Sequence, residues 1–261
     1  MITSYVAIDL ETTGIGAKKE KITEIGMVKV EDGNVVNTYH TMVDPHREIP
    51  ERIVELTGIT DEMVAGAPGI EAVLPVVIRF CDGFPLLGHQ IIFDYGFLAQ
   101  AAANQKLKFE KDGIDTLKIC RYLMPTAEKK NLGAACGYFG IVPDTAHRAL
   151  SDAMSAHLLY QALKERFGET RSDLFVAKPL NYKAKKERPA TKRQKQHLQD
   201  LLKYHRIETT VDIDYMSGNE ISRMIDRIIF NHGRIPENLR VHADFRYADK
   251  NKQRGEHIVK L

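Results

Sequence analysis

Tyr5-Val6-Ala7-Ile8-Asp9-Leu10-Glu11-Thr12-Thr13-Gly14 is the stretch on which the reading of the fold turns. Its first four residues form an apolar run and Gly14 closes it, which predicts a buried strand ending in a turn. Side chains two apart on a strand share a face, so Asp9 and Glu11 project together beyond the strand's end. Carboxylates at the end of a buried strand are costly unless they are paired or bind a metal. The competing reading is a solvated turn, because Asp and Thr both suit turns. Thr12-Thr13-Gly14 favours a ligand, since a glycine turn lets backbone approach a bound molecule closely.

Outward from this strand, residues 22–30 and 35–43 are apolar-rich and separated by Glu31-Asp32-Gly33-Asn34, which predicts a hairpin. Pro50 to Leu56 predicts a short helix stopped at Gly58. Helical patterning recurs over 70–81, 93–104 and 116–124, with Leu86-Leu87-Gly88 and Gly113-Ile114 as short strands between them. The last strong helix of this region runs from about 148 to 167, with Ala149, Ala153, Ala156, Tyr160 and Leu163 on one side. Hairpin strands followed by alternating strands and helices indicate an α/β layer: a mixed sheet flanked by helices.

The chain has 261 residues, enough for one to two domains, with 43% hydrophobic and 28% charged residues as in ordinary soluble proteins. The formal net charge of +2 hides an asymmetry: Lys178 to Lys195 holds eight Lys/Arg and one acid, Glu187, and leaves the remainder net acidic. Cys81, Cys120 and Cys136 are odd in number, widely spaced and without CxxC spacing, which argues against a disulfide framework or a zinc site. A reducing cytoplasmic setting is expected. Met-Ile-Thr-Ser-Tyr has no basic leader and no long apolar run, so neither a signal peptide nor a membrane span is expected.

Composition changes after the helix ending near Phe167. The expected organisation is an α/β domain over 1–168, a basic linker carrying Pro179 and Pro189 over 169–190, and a small, mostly helical domain over 191–261. In the last, Leu198, Leu201 and Leu202 predict one helix. Ser217-Gly218-Asn219-Glu220 has capping-box spacing before the stripe Ile221, Met224, Ile225, Ile228 and Ile229. That stripe reads as core. The basic stretch is open between a solvated tether and a phosphate-contacting segment.

Two further groups carry possible chemistry. Asp152 lies on an alanine-rich helix and His147 stands where that helix begins, so both can face one cleft; the plain alternative is a helix-start histidine and a surface acid. Asp94, between Phe93 and Tyr95, opens an otherwise apolar helix and could equally be a first-turn acid favoured by the helix dipole. Asp115 before Thr116 and Leu117 reads as a helix cap, and Asp144 after Pro143 as a loop acid.

Taken together, the order is Asp9-x-Glu11-Thr12-Thr13-Gly14, then Gly88-His89-Gln90-Ile91-Ile92-Phe93-Asp94-x-x-Phe97-Leu98, then His147-Arg148-Ala149-x-x-Asp152-Ala153. It resembles the three motifs of the DEDD exonucleases. Residues 3 to 167 are similar in particular to the proofreading exonuclease subunits of bacterial DNA polymerase III. Leu56-Thr57-Gly58-Ile59-Thr60, Ile114-Asp115-Thr116-Leu117, and Asn131-Leu132 leading into Phe139-Gly140-Ile141 extend the likeness. The tyrosine branch of that class carries Tyr four residues before its last aspartate. Here Arg148 stands there and the histidine sits at 147, which points to the histidine (DEDDh) branch. Gln90 departs from the resemblance, since relatives usually carry Asn after the histidine.

The resemblance implies an RNase H-like fold and a 3′–5′ exonuclease that hydrolyses phosphodiester bonds and releases 5′-mononucleotides, as in DNA replication or repair. It implies Asp9, Glu11, Asp94 and Asp152 as ligands of two divalent ions and His147 as general base. Leu10, Thr12, Thr13, His89 and Phe93 are implied around the terminal nucleotide, although Phe93 could also be plain core. Hard oxygen ligands suit Mg²⁺ or Mn²⁺. The expected partner is nucleic acid, single-stranded 3′ ends with DNA ahead of RNA, and the C-terminal domain could dock a polymerase or repair protein. The alternatives are an exoribonuclease and a catalytically quiet exonuclease fold used as a binding module.

Overall fold

The computed structural model describes residues 1–142 and 147–236, together with the backbone of 259–260. Asp144 lies outside the described residues. The chain divides into two compact units, Met1–Pro45 with Ile49–Lys186, and His46–Glu48 with Glu187–Leu261.

The first unit is built on a six-stranded sheet. Strand β1 (Tyr5–Thr12) is followed by the hairpin β2 (Ile22–Glu31) and β3 (Asn34–Met42), helices α1 (Glu51–Thr57), α2 (Asp61–Val64) and α3 (Ile70–Phe80), then β4 (Leu86–Gly88) and α4 (Ile92–Gln105). After these come β5 (Asp112–Asp115), α5 (Thr116–Leu123), α6 (Leu132–Tyr138), α7 (Ala149–Phe167) and the edge strand β6 (Lys178–Pro179). The sheet order is β3-β2-β1-β4-β5-β6, with β1, β4 and β5 parallel and β2, β3 and β6 antiparallel to their neighbours. The mixed sheet is therefore the expected one. Its hairpin turns at Asp32 (φ 47°) and Gly33 (φ 84°), and two consecutive positive φ values match the twist of the flanking strands.

Both sheet faces are covered, and strand alternation sorts their side chains. Val6, Ile8 and Leu10 face a core shared with Val73, Leu74 and Val77 of α3 and Leu98 of α4. Tyr5 and Ala7 face the opposite core, with Ile119 and Cys120 of α5 and Ala153, Tyr160 and Leu163 of α7. Helix α7 lies against β2 at Gly26, where an added Cβ would stand 2.1 Å from the Leu150 nitrogen. Only glycine permits that approach.

The segment expected as a tether is packed as far as Lys186. Phe175 is fully buried and touches Tyr160, and Lys178–Pro179 pairs with β5. Leu180 fills the space over Gly113, while Gln100 exchanges hydrogen bonds with the Lys185 backbone at 2.8 and 3.1 Å. The boundary expected at residue 168 thus moves to about 186. Isolated apolar residues among lysines carry no periodicity, yet Phe175, Ala177, Leu180 and Tyr182 pack into the two cores.

In the second unit, α8 (Lys192–His205) and α9 (Gly218–His232) bury Leu198, Leu201, Ile221 and Ile228 between them. Both helices start with a capping box, Thr191 with Gln194 and Ser217 with Glu220. A short parallel pair, β7 (Ile207–Glu208) and β8 (Val259–Lys260), completes it. All three cysteines are buried and free. Among the described residues no helix is long and apolar enough to cross a membrane.

Candidate active site

The parallel strands β1, β4 and β5 deliver their C-terminal residues to one edge of the sheet, the edge at which open α/β sheets bind ligands. There a cleft of about 280 Å³ is lined by Asp9, Leu10, Glu11, His89, Gln90, Phe93, Asp94, Leu132, His147 and Asp152. The lining comes from the end of β1, the β4–α4 turn, the first turn of α4, the start of α6 and the start of α7. Four acids from three distant stretches of the chain therefore converge.

Their environment is hostile to negative charge. Burial pushes the Asp9 carboxyl well above the usual carboxylate range, and Asp94, Glu11 and Asp152 push it further. Burial, with Asp152 and Glu24, pushes Glu11 up to about 7 against the pull of Arg148. Asp94 is pushed up by burial to about 8, although its Oδ1 accepts a 3.0 Å hydrogen bond from the Leu10 backbone. Burial also raises Asp152, opposed by the His147 backbone N–H that donates to its Oδ2 at 3.1 Å. Clustered carboxylates with little countercharge have the chemistry of a candidate cation site. Ligand atoms of Glu11, His147 and Asp152 lie within 4.8 Å of one another, close enough to share one metal ion. With Asp9 and Asp94 alongside, the donor set is rich in oxygen and fits a hard divalent ion. His147 is exposed and sits at φ 59°, a left-handed position just before α7.

Not every residue expected around a terminal nucleotide reaches the cleft. Thr12 and Thr13 are buried outside its lining. The Thr12 hydroxyl donates to the Gly14 carbonyl at 2.8 Å, and the Thr13 hydroxyl donates to Glu20 while accepting from Lys21 N–H. These two threonines shape the turn after β1. His89 lines the cleft, but both ring nitrogens face the protein: Nε2 lies 2.7 Å from the Lys130 carbonyl and Nδ1 2.9 Å from the Thr116 hydroxyl. The Lys130 carbonyl can only accept, which puts a proton on Nε2, and burial lowers the pKa of the ring. What His89 can offer a nucleotide is ring surface. Asp115 caps α5 by accepting from Lys118 N–H, and its Oδ1 also accepts from Gln90 N–H, which ties the β4–α4 turn to β5. Gln90 itself has φ 76°. Asn tolerates that region better than Gln, which gives a backbone reason for the asparagine usual there in the resembling family.

Sequence reasoning missed Glu24. It lies on β2 opposite Glu11, is fully buried, and receives Arg148, His40 and the Ala149 N–H. Burial pushes its carboxyl up, but these donors outweigh burial and hold it below its ordinary value. The legible signal was an acid inside Ile22-Thr23-Glu24-Ile25, a strand otherwise reading as buried.

An exonuclease family model, RNase T, matches residues 6–160, from β1 into α7 and across every cleft residue. The chain belongs to the RNase T exonuclease family. Within this family setting, it is 38% identical over 180 residues, 69% of its length, to a PolC-type DNA polymerase III of Clostridium perfringens. It spans only about 12% of the length of the PolC-type relatives it matches. Among solved structures, exonuclease X in complex with 5′ overhanging duplex DNA is 28% identical at a TM-score of 0.50, covering 65% of this chain and 96% of that one. E. coli exonuclease I in complex with a dT13 oligonucleotide shares the fold at TM-score 0.60 and 16% identity, covering 67% of this chain and 44% of that one. Exonucleases of this fold family generally use divalent metals.

Proposed function

We propose that this chain is a 3′–5′ exonuclease acting on DNA, removing 5′-mononucleotides with two divalent ions, Mg²⁺ or Mn²⁺. The observation that carries the reading is the convergence of Asp9, Glu11, Asp94, Asp152 and His147 on one cleft in an RNase T-family chain. At about 280 Å³ the cleft lies just below the ~300–1,000 Å³ usual for ligand sites, a size that suits one terminal nucleotide. DNA is favoured by the DNA polymerase relative and by the duplex DNA bound to exonuclease X.

The four carboxylates are the proposed metal ligands. When bound, the ions would acidify a water and neutralise charge at the scissile phosphate. The chain's own residues do the rest. His147, exposed at the cleft mouth, takes the proton of the attacking water, a role that contributes roughly 10²- to 10⁴-fold. Leu10 and Phe93 give apolar surface to the terminal base and sugar, with the Phe93 ring braced by Phe97 at 5.1 Å between centroids. The exposed Lys192, Arg193, His197 and Lys203 of α8, with the basic segment before them, retain longer strands through phosphate contacts. A cytoplasmic setting, and docking of a polymerase or repair protein by the C-terminal unit, complete the proposal.

The test is degradation of 5′-labelled DNA and RNA oligonucleotides in parallel. The expected result is a ladder shortening one nucleotide at a time from the 3′ end, faster on DNA, abolished by EDTA and at least 10²-fold slower in Asp9→Ala. Faster decay of RNA would make the chain an exoribonuclease, hydrolysis persisting in excess EDTA would remove the metal assignment, and no hydrolysis with either ion would leave a binding module.

A further inference from the structure

Glu24 and Arg148 make an ion pair that the proposed chemistry does not use. The Glu24 side chain is fully inaccessible to solvent, and a buried carboxylate is costly unless its oxygens are fully engaged. They are. Arg148 donates from Nε at 3.1 Å and from a terminal guanidinium nitrogen at 2.9 Å to Oε1, the Ala149 N–H donates to Oε2 at 3.1 Å, and His40 Nε2 lies 2.6 Å from Oε1. Arg148 and Ala149 are the N-cap and first residue of α7, the helix that carries Asp152. Arg148 has no side-chain cap bond of its own, so the β2 carboxylate takes one of the free N–H groups that open this helix.

His147 immediately precedes this anchored pair. Its backbone is left-handed, and its N–H donates to Asp152, so its position depends on where residues 148 and 149 are held. Gly26, two residues beyond Glu24 on β2, lets α7 approach the same strand. The residue before the anchor is thus fixed from β2 through a forked, charge-assisted contact, the geometry that guanidinium and carboxylate groups favour.

We infer that Glu24 and Arg148 are positioning residues for the reaction: their ion pair, anchored on the buried Glu24 carboxylate, aims His147 at the attacking water. The inference rests on the base assignment proposed above. Neither residue lines the cleft, so neither touches the substrate there.

The test compares the full-length chain with and without the pair in two backgrounds. Glu24→Gln with Arg148→Met removes both charges together and orphans neither. With His147 present, the pair replacement is expected to lower kcat 10- to 100-fold on a short DNA oligonucleotide, with KM within about threefold, as for a misplaced group. In a His147→Ala background the same replacement is expected to change kcat less than threefold, because what it positions is gone. Arg148→Lys, which keeps the charge and loses the fork, serves if the double replacement fails to fold; its expected loss is three- to tenfold with His147 and none without it. Equal losses in both backgrounds, or no loss with His147 present, overturn the inference alone. Full activity of His147→Ala by itself overturns the base assignment and this inference together.

Discussion

Asp94→Asn should make the metal-free protein more stable while abolishing hydrolysis. Asp94 is buried at the first turn of α4, and its carboxyl is pushed from 3.8 to about 8 by burial and by neighbouring acids. A folded pKa above the unfolded one means that the folded chain holds a proton the unfolded chain has released. This favours folding below the unfolded value, and the benefit is lost as pH rises through the folded value. The penalty is therefore negligible below pH 4, grows between 4 and 8, and is level above about 8. An interval of that width corresponds to ~5 kcal/mol. Asp9, Glu11 and Asp152 are strained by the same cluster and share the relief, so one substitution should recover ~2–4 kcal/mol. Asn keeps an oxygen for the Leu10 N–H, so the local hydrogen bond survives. The assay is urea unfolding in EDTA at pH 4.5, 6.5 and 8. Buried His89 and His157 also titrate with lowered pKa values, but they do so in both proteins and cancel in the difference. The advantage of Asp94→Asn should be under ~1 kcal/mol at pH 4.5 and widen steadily to pH 8. In saturating Mg²⁺ or Mn²⁺ it should shrink or reverse, since the wild-type carboxylates regain their countercharge. A stability difference that does not grow with pH in EDTA would refute the repulsion argument.

Four other outcomes follow from particular contacts. Gly26→Ala places a Cβ 2.1–2.4 Å from backbone atoms of Ala149 and Leu150, so it should cost ~1–3 kcal/mol by thermal unfolding and, by shifting the start of α7, lower kcat on the order of 10²-fold. Gln90→Asn, at φ 76°, should stabilise the fold by ~0.5–1 kcal/mol; a loss of stability would mean that the side chain outweighs the backbone there. Asp115→Asn should keep its activity, because an amide oxygen can accept from both Gln90 and Lys118 N–H, whereas Asp94→Asn should not. A chain cut after Lys186 should fold and turn over short oligonucleotides with a shallower salt dependence on long ones; one cut after Gly168 loses buried Phe175 and should be less stable by ~3–5 kcal/mol in chemical denaturation.

Much of this protein is written locally. The apolar run of β1, the hairpin turn at Asp32-Gly33, the glycine stop after α1 and the apolar stripe of α9 each follow from interactions within a few residues, so periodicity and turn chemistry reveal them. The Asp9–Glu11 pair was legible for the same reason, since strand geometry alone puts both on one face. For Asp94, His147 and Asp152, local reading left surface roles open, and only the motif order joined them.

What only the tertiary structure decided depends on partners far apart in the chain. Nothing near Glu24 announces that Arg148, 124 positions later, will neutralise it, or that Gly26 must be small to admit α7. Thr12 and Thr13 are placed beside the Asp9–Glu11 pair by sequence, but their hydroxyls bond to Gly14, Glu20 and Lys21. The run from Phe175 to Tyr182 reads as tether because its apolar residues follow neither a helical nor a strand period, and Phe175, Ala177, Leu180 and Tyr182 find their places only against cores already built. Short-range propensity shows in the sequence because the backbone imposes its period. Burial and charge pairing do not, because they are set by which distant surfaces the folded sheet brings together.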